Sequence, residues 1–336
     1  MNVLVAGVVL DGRYRLERLV ARGGMSEIWR ARHTLLERSV ALKFVRVDSD
    51  ESRRLLIEEA RILAAVRHPS IVEVYDCGLL EGAVPYLVME YIDAPTLRGV
   101  LDERGTLTID EAVAVIGALA RGVHTVHERG VVHRDIKPEN ILYLADRAGG
   151  PPSVKLIDFG ISHRASGKKH DGNVSGTPAY MAPEQIRGEP ADRAVDLWAL
   201  GVTLYELVAG DPPFNGADVT ATLTAALTGH IPFPRAVRGL DGALWRTITD
   251  CLRVDLKQRT PSALALAEAL DRRATTIRAR ESRPTIRTPE EARRDAARLE
   301  NEHTKSSAPT APDAARSTEP GADSLDNILF ERLSRS

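Results

Sequence analysis

Only two cysteines, Cys77 and Cys251, occur among 336 residues. They are too few for a zinc cluster and too far apart to frame a small disulfide-bonded fold, so the expectation is a reducing compartment, the cytoplasm, with both thiols as small core residues. No 18-residue apolar run occurs either. The apolar stretch "VLVAGVVL" at residues 3–10 has no positive segment before it, and it reads as a strand lead-in rather than a signal or a membrane span. An excess of one charge is also missing. Lys and Arg total 45 against 47 Asp and Glu, a net charge of −2, so no global basic field argues for nucleic acid. There is no internal repeat. What is present is a chain with 43 % hydrophobic residues, long enough to bury a large core in one large domain or two smaller ones.

From Tyr14 to Tyr91 the pattern predicts strands, with "YRLERLV", "SEIWRAR", "SVALKFV" and "PYLVMEYI" showing alternating or continuous apolar runs. One helix, "ESRRLLIEEARILAAV", interrupts them. Past Asp93 the period changes. "LTIDEAVAVIGALARGVHTVHERG" opens with a Thr108–Glu111 capping box and closes at Gly130. More helices are expected at "AVDLWALGVTLYELVAG", "DVTATLTAALTG", "GALWRTITDCL" and "PSALALAEALDRR", the last with Thr260 as N-cap and Pro261 at its first position. This divides the chain into a lead-in at 1–13, a sheet-rich lobe at 14–92, a helical lobe at 93–272 and a weakly ordered tail at 273–336, where apolar density falls. In the tail, "TPEE" at 288–291 is a helix-start signal. "SLDNILFERL" sets Leu325, Ile328, Leu329 and Leu333 near one helical face, which docks on the folded part or on a partner, or stays disordered.

Three motifs carry chemistry. "HRDIKPEN", His133 to Asn140, puts a carboxylate, a lysine and an amide within six residues after an expected short strand, enough for a base, a cation and a metal ligand in one loop. Eighteen residues past Asn140 comes "DFG", Asp158 to Gly160, after the strand "VKLI", and "APE", Ala182 to Glu184, follows. Nearer the start, "VARGGMSEIWRAR" at 20–32 approximates G-x-G-x-x-G, with Ala21 at the first glycine position, Gly23 in register and Ser26 at the third.

In this order the motifs resemble the eukaryotic-type (Hanks-type) protein kinase family and its bacterial serine/threonine branch, to which "GTPAYMAPEQ" at 176–185 is similar. The resemblance covers about residues 10–272 and not the tail. It implies an α+β, bilobal fold: a small antiparallel sheet lobe with one key helix over a larger, mostly helical lobe, with ATP and Mg2+ in the cleft between them. By the resemblance, Asp135 orients the substrate hydroxyl and accepts its proton, Lys137 offsets charge on the moving phosphoryl group, and Asn140 and Asp158 hold the metal. Lys43 in "VALK" holds the α- and β-phosphates and pairs with a glutamate on the next helix. Glu58 and Glu59 are both candidates, and the count of nine residues back from His68 selects Glu59.

The same resemblance sets the glycine loop over the nucleotide phosphates, where side chains at Ala21 and Ser26 restrict backbone angles that glycine permits and hold the loop farther away. Met89 becomes the gatekeeper, Glu90 and Ile92 offer backbone groups to the adenine edge, Val20, Ile28, Ala41 and Leu142 sandwich the ring, and Thr96 lies near the ribose as a helix start. Asp196 is expected to tie down the catalytic-loop backbone, Glu184 to pair with Arg259, and His133 and Phe159 to pack. Arg134 is expected to receive a phosphate from the activation segment. That segment reads "KKHDGN" at 168–173 without a threonine, leaving Ser166 and Ser175 as sites, Asp171 as a solvated loop aspartate or else a fixed negative charge near Arg134, and Thr177 directed at Asp135 and Lys137. The implied partners are protein Ser/Thr substrates, in a signalling role that includes autophosphorylation. Two rivals are a pseudokinase scaffold, favoured by the altered loop, and a small-molecule kinase. The complete set of charged residues opposes the first, and the intact "GTPAYMAPE" segment opposes the second.

Overall fold

The computed structural model describes residues 4–281 apart from 25, 48, 81–83, 147, 160–176, 191, 235–236 and 238, with the backbone alone at 277–281. The chain divides into two units, Met1–Glu281 and Ser282–Ser336. The second lies outside the described residues, and with it the expected "TPEE" helix start and the Leu325–Leu333 segment.

The first part of the chain forms one antiparallel sheet of β1 (Val9–Leu10), β2 (Tyr14–Arg22), β3 (Ser26–His33), β4 (Ser39–Val45), β5 (Val74–Leu80) and β6 (Val84–Glu90), in spatial order β1-β2-β3-β4-β6-β5. Alternation places it: Tyr14 and Leu16 are buried while Arg15 between them is exposed. One face, built from Leu16, Trp29, Leu42, Phe44, Tyr86 and Val88, closes over itself with Leu10 of the lead-in. The other face meets α1 (Asp50–Ala64), which is capped by Ser49, whose hydroxyl accepts from Ser52 N–H. Helix α1 buries Leu56, Glu59, Ala60 and Leu63.

The second part is helical. Its elements are α2 (Leu97–Arg104), α3 (Ile109–His127), the β7–β8 ribbon (Ile141–Leu144 and Ser153–Leu156), and then α4 (Pro183–Ile186), α5 (Ala194–Ala209), α6 (Val219–Thr228), α7 (Gly242–Cys251) and α8 (Ala263–Glu281). The Thr108–Glu111 capping box forms as its spacing predicts. Helix α5 is buried from Val195 to Val208 without a polar face, which makes it the axis of this lobe. Short 3-10 turns at Pro138–Asn140 and Pro178–Tyr180 flank the chemistry.

Three expectations need correction. No strand precedes His133: residues 131–136 run as irregular backbone, since α3 ends just before them and Val131 N–H turns back to Val126 O. The last helix starts later than Thr260, because Ser262 takes the capping role and accepts from Ala265 N–H, while Thr260 N–H is drawn to Asp250 O. That helix also runs on to Glu281, past the expected boundary at 272. Arg273, polar in sequence, is 8 % exposed and donates to Asp241 at 2.7 Å, so the fall in apolar content does not end the packing.

Candidate active site

The loop joining α3 to β7 is held by one buried carboxylate. Asp196, fully buried in the first turn of α5, accepts from His133 N–H at 2.8 Å and Arg134 N–H at 2.7 Å, and lies 2.7 Å from His127 Nε2. These bonds hold Arg134 at φ 67°, a left-handed conformation rare for a side-chain-bearing residue. The expected scaffold role of Asp196 therefore has its geometry. His127, in the last turn of α3, is a 3 %-exposed member of the same bond set.

Beyond that anchor the polar side chains converge. Asp135 accepts from Lys137 Nζ at 2.9 Å and from Asn140 Nδ2 at 2.9 Å, and Asn140 also donates to the Asp135 carbonyl. Lys137 donates in addition to Thr177 Oγ1 at 3.0 Å. Asp158 follows β8 at φ 62°, and Ile157 N–H bonds Asn140 O, which draws the two expected metal residues together. Phe159 packs on His133 with ring centroids 4.7 Å apart. Burial lowers the His133 imidazole below its ordinary range, against the pull of Asp196 and Asp135.

From the sheet side, Lys43 reaches down to contact Asp158. It is 2 % exposed, and burial pulls its ammonium down to about 8, against the carboxylates of Asp135 and Glu59. The structure thus gives Lys43 a close ion pair with Asp158, with Glu59, 5 % exposed on α1, acting on it through its charge. Glu58 is half exposed and pairs with Arg54 on the helix surface.

The expected nucleotide contacts fall on one face of the large sheet, on the connection after β6 and, at Leu142, on β7. Ala41 stands opposite Met89, and Lys43 opposite both Ile28 and Leu87, so these side chains line one face. Thr96 caps α2 and bridges Leu142 of β7 within the helical lobe. Glu90 N–H donates to Glu73 O, and its carboxylate pairs with Lys155 at 2.6 Å. Ile92 is half-buried just beyond, and Val20 is 44 % exposed at the rim. In the glycine loop Gly23 N–H bonds Ser26 O at 2.8 Å, closing a tight hairpin with Ala21 opposite Ile28.

For a divalent cation, the donor chemistry fits. Asn140 spends its amide nitrogen on Asp135, so its amide oxygen is the remaining acceptor, beside a carboxylate at Asp158: two oxygen donors, as magnesium prefers. Among the described residues no group of three or more His, Cys, Asp or Glu could hold a metal ion. Gly160, Ser166, Asp171 and Ser175 lie outside the described residues.

Sequence reasoning missed one assembly. Arg98 of α2 donates to Glu206 of α5 at 2.6 Å, to Tyr180 at 2.9 Å and to Glu139 at 3.0 Å, while Tyr180 donates to Glu206. Burial raises the Glu206 carboxyl above its ordinary range, and the bonds from Tyr180 and Arg98 oppose the shift. The signal was a lone glutamate within the apolar run of α5. The Glu184–Arg259 pair, in contrast, forms as expected, bidentate at 2.6 and 3.0 Å with both residues nearly inaccessible.

The family model for the protein kinase domain matches residues 14–270. The chain belongs to the protein kinase domain family. The kinase domain is 36 % identical over 275 residues to serine/threonine-protein kinase PknB of Mycobacterium tuberculosis, an alignment covering 78 % of this chain and 43 % of that one. It is 40 % identical over 216 residues to PknB of Mycobacterium leprae, covering 62 % and 34 %. To PknJ of Mycobacterium bovis it is 36 % identical over 274 residues, covering 79 % and 46 %. The chain thus spans less than half the length of these relatives. Among the described residues no helix is long and apolar enough to cross a membrane.

Proposed function

We propose that this kinase domain is an active serine/threonine protein kinase, transferring the γ-phosphoryl group of Mg-ATP to protein hydroxyls. The observation that carries the reading is the Asp135 carboxylate, held by Lys137 and Asn140 with Thr177 on the same lysine. Asp135 accepts the proton of the substrate hydroxyl and aims its oxygen. Lys137 offsets charge on the group in transit, and Lys43 takes the α- and β-phosphates with Glu59 near it. Asn140 and Asp158 would hold magnesium, which when bound neutralises phosphate charge. Met89, Ala41, Ile28, Val20 and Leu142 enclose the adenine, Glu90 and Ile92 meet its edge through backbone groups, Thr96 lies by the ribose, and the loop with Ala21, Gly23 and Ser26 covers the phosphates. The lobe boundary near residue 92, a cytoplasmic setting, protein substrates and autophosphorylation, and partner docking through the tail belong to the same reading.

The test is phosphorylation of the protein itself, or of a generic basic protein, with Mg-ATP. Wild type transfers phosphate, while Lys43→Met and Asp135→Asn are silent. If wild type and both variants are equally silent while ATP still binds, the domain is a scaffold.

A further inference from the structure

We infer that Arg18 and Arg30 are positioning residues for the nucleotide, acting through Tyr91; the inference rests on the kinase reading above. Tyr91 lies between Glu90 and Ile92, the two residues whose backbone groups meet the adenine edge in that reading. Its side chain is gripped from two sides. Arg18 donates to the Tyr91 hydroxyl at 2.7 Å, and the Arg30 guanidinium lies over the ring, 5.0 Å from its centroid. Arg30 is itself fixed, by Glu17 at 2.8 Å and by Ser39 Oγ at 3.3 Å.

Register explains why the two arginines stand there. Arg18 is directly opposite Arg30, Arg30 opposite Ala41, and Ala41 opposite Met89, so one row of side chains runs across four strands on a single face. The last two enclose the adenine, and the first two continue the same roof toward the mouth of the cleft. Like charges directly opposite on neighbouring strands are destabilising. The phenol oxygen and ring face of Tyr91, with the Glu17 carboxylate, supply the negative partners that make the Arg18–Arg30 pair tolerable. Neighbouring Glu90 is fastened to the other lobe through Lys155. Consecutive side chains of the connection are therefore held by opposite lobes, and the backbone groups beside them are fixed before nucleotide arrives.

The experiment measures Mg-ATP binding by calorimetry, with KM and kcat on a basic protein, for the full chain and for Arg18→Gln, Tyr91→Phe, their double variant, Arg30→Gln and Arg30→Lys. The expected result is ATP affinity weakened about threefold to fivefold by Arg18→Gln and by Tyr91→Phe, and no further by the double variant, because both remove one contact. Arg30→Lys should keep more affinity than Arg30→Gln, and kcat at saturating ATP should stay within about twofold, since the contact is made in ground and transition states alike. Variants that bind ATP as wild type does, or whose losses add in the double variant, overturn the inference while leaving the kinase reading intact. A wild type that binds no nucleotide overturns that reading, and this inference with it.

Discussion

Lys43 shows how a single burial sets both chemistry and pH dependence. Its ammonium is held down to about 8 by desolvation, against an ordinary value of 10.5. Between those values the unfolded chain binds the proton and the folded one does not, so the contribution of this group to stability rises with pH through that window. In the proposed reaction the effect runs the other way, because a neutral amine no longer attracts phosphate. The expected pH profile of kcat/KM for ATP falls above about 8, whereas kcat at saturating ATP holds to higher pH, since bound phosphates restore the proton. A profile for kcat/KM that stays flat to about pH 9.5 would remove Lys43 from nucleotide binding. Lys43, Asp135, Lys137, Asn140 and Asp158 were legible because each sits in a short motif of fixed spacing. Arg98 was not: its three partners lie 41, 82 and 108 residues away in sequence, and nothing local marks it.

Elements were legible where local signals agree with burial. Helix α3 has its capping box and β2 its alternation, while β5 was hidden because its segment "VYDCGLL" mixes Asp76, Cys77 and Gly78 into a strand that pairs with β6. Helix α8 hid its true start, since Ser262 competes with Thr260 for the cap, and its true extent, since Arg273 is buried by pairing. The short helix α4 depends on a different device, the ion pair of its Glu184 with Arg259, whose guanidinium also lies 5.1 Å from the Trp198 ring centroid of α5. Removing one partner leaves an unpaired buried charge, so Arg259→Ala should lower stability by about 3–5 kcal/mol, read by chemical denaturation. A loss below about 1 kcal/mol would mean that water replaces the lost partner there.

At the scale of the whole molecule, β8 joins the lobes and carries the site. Leu156 N–H bonds Ser70 O and Leu156 O accepts from Val72 N–H, tying the connection after α1 to the lower lobe, and two residues later the strand delivers Asp158 to Lys43. The lower lobe supplies Asp135 on a loop pinned by α5. The two-lobed arrangement could be expected from the change of period near Asp93, but the ties through Leu156 could not, because they are backbone bonds that leave no mark on residue type. In the proposed reaction this convergence moves phosphate from ATP onto a serine or threonine hydroxyl. The most direct measurement is incorporation of labelled γ-phosphate from Mg-ATP into a basic protein, followed by identification of the acceptor residues, in wild type and Asp135→Asn. The predicted result is label on serine and threonine with wild type and none with Asp135→Asn; equal labelling by the two proteins, or label confined to other residues, would contradict it.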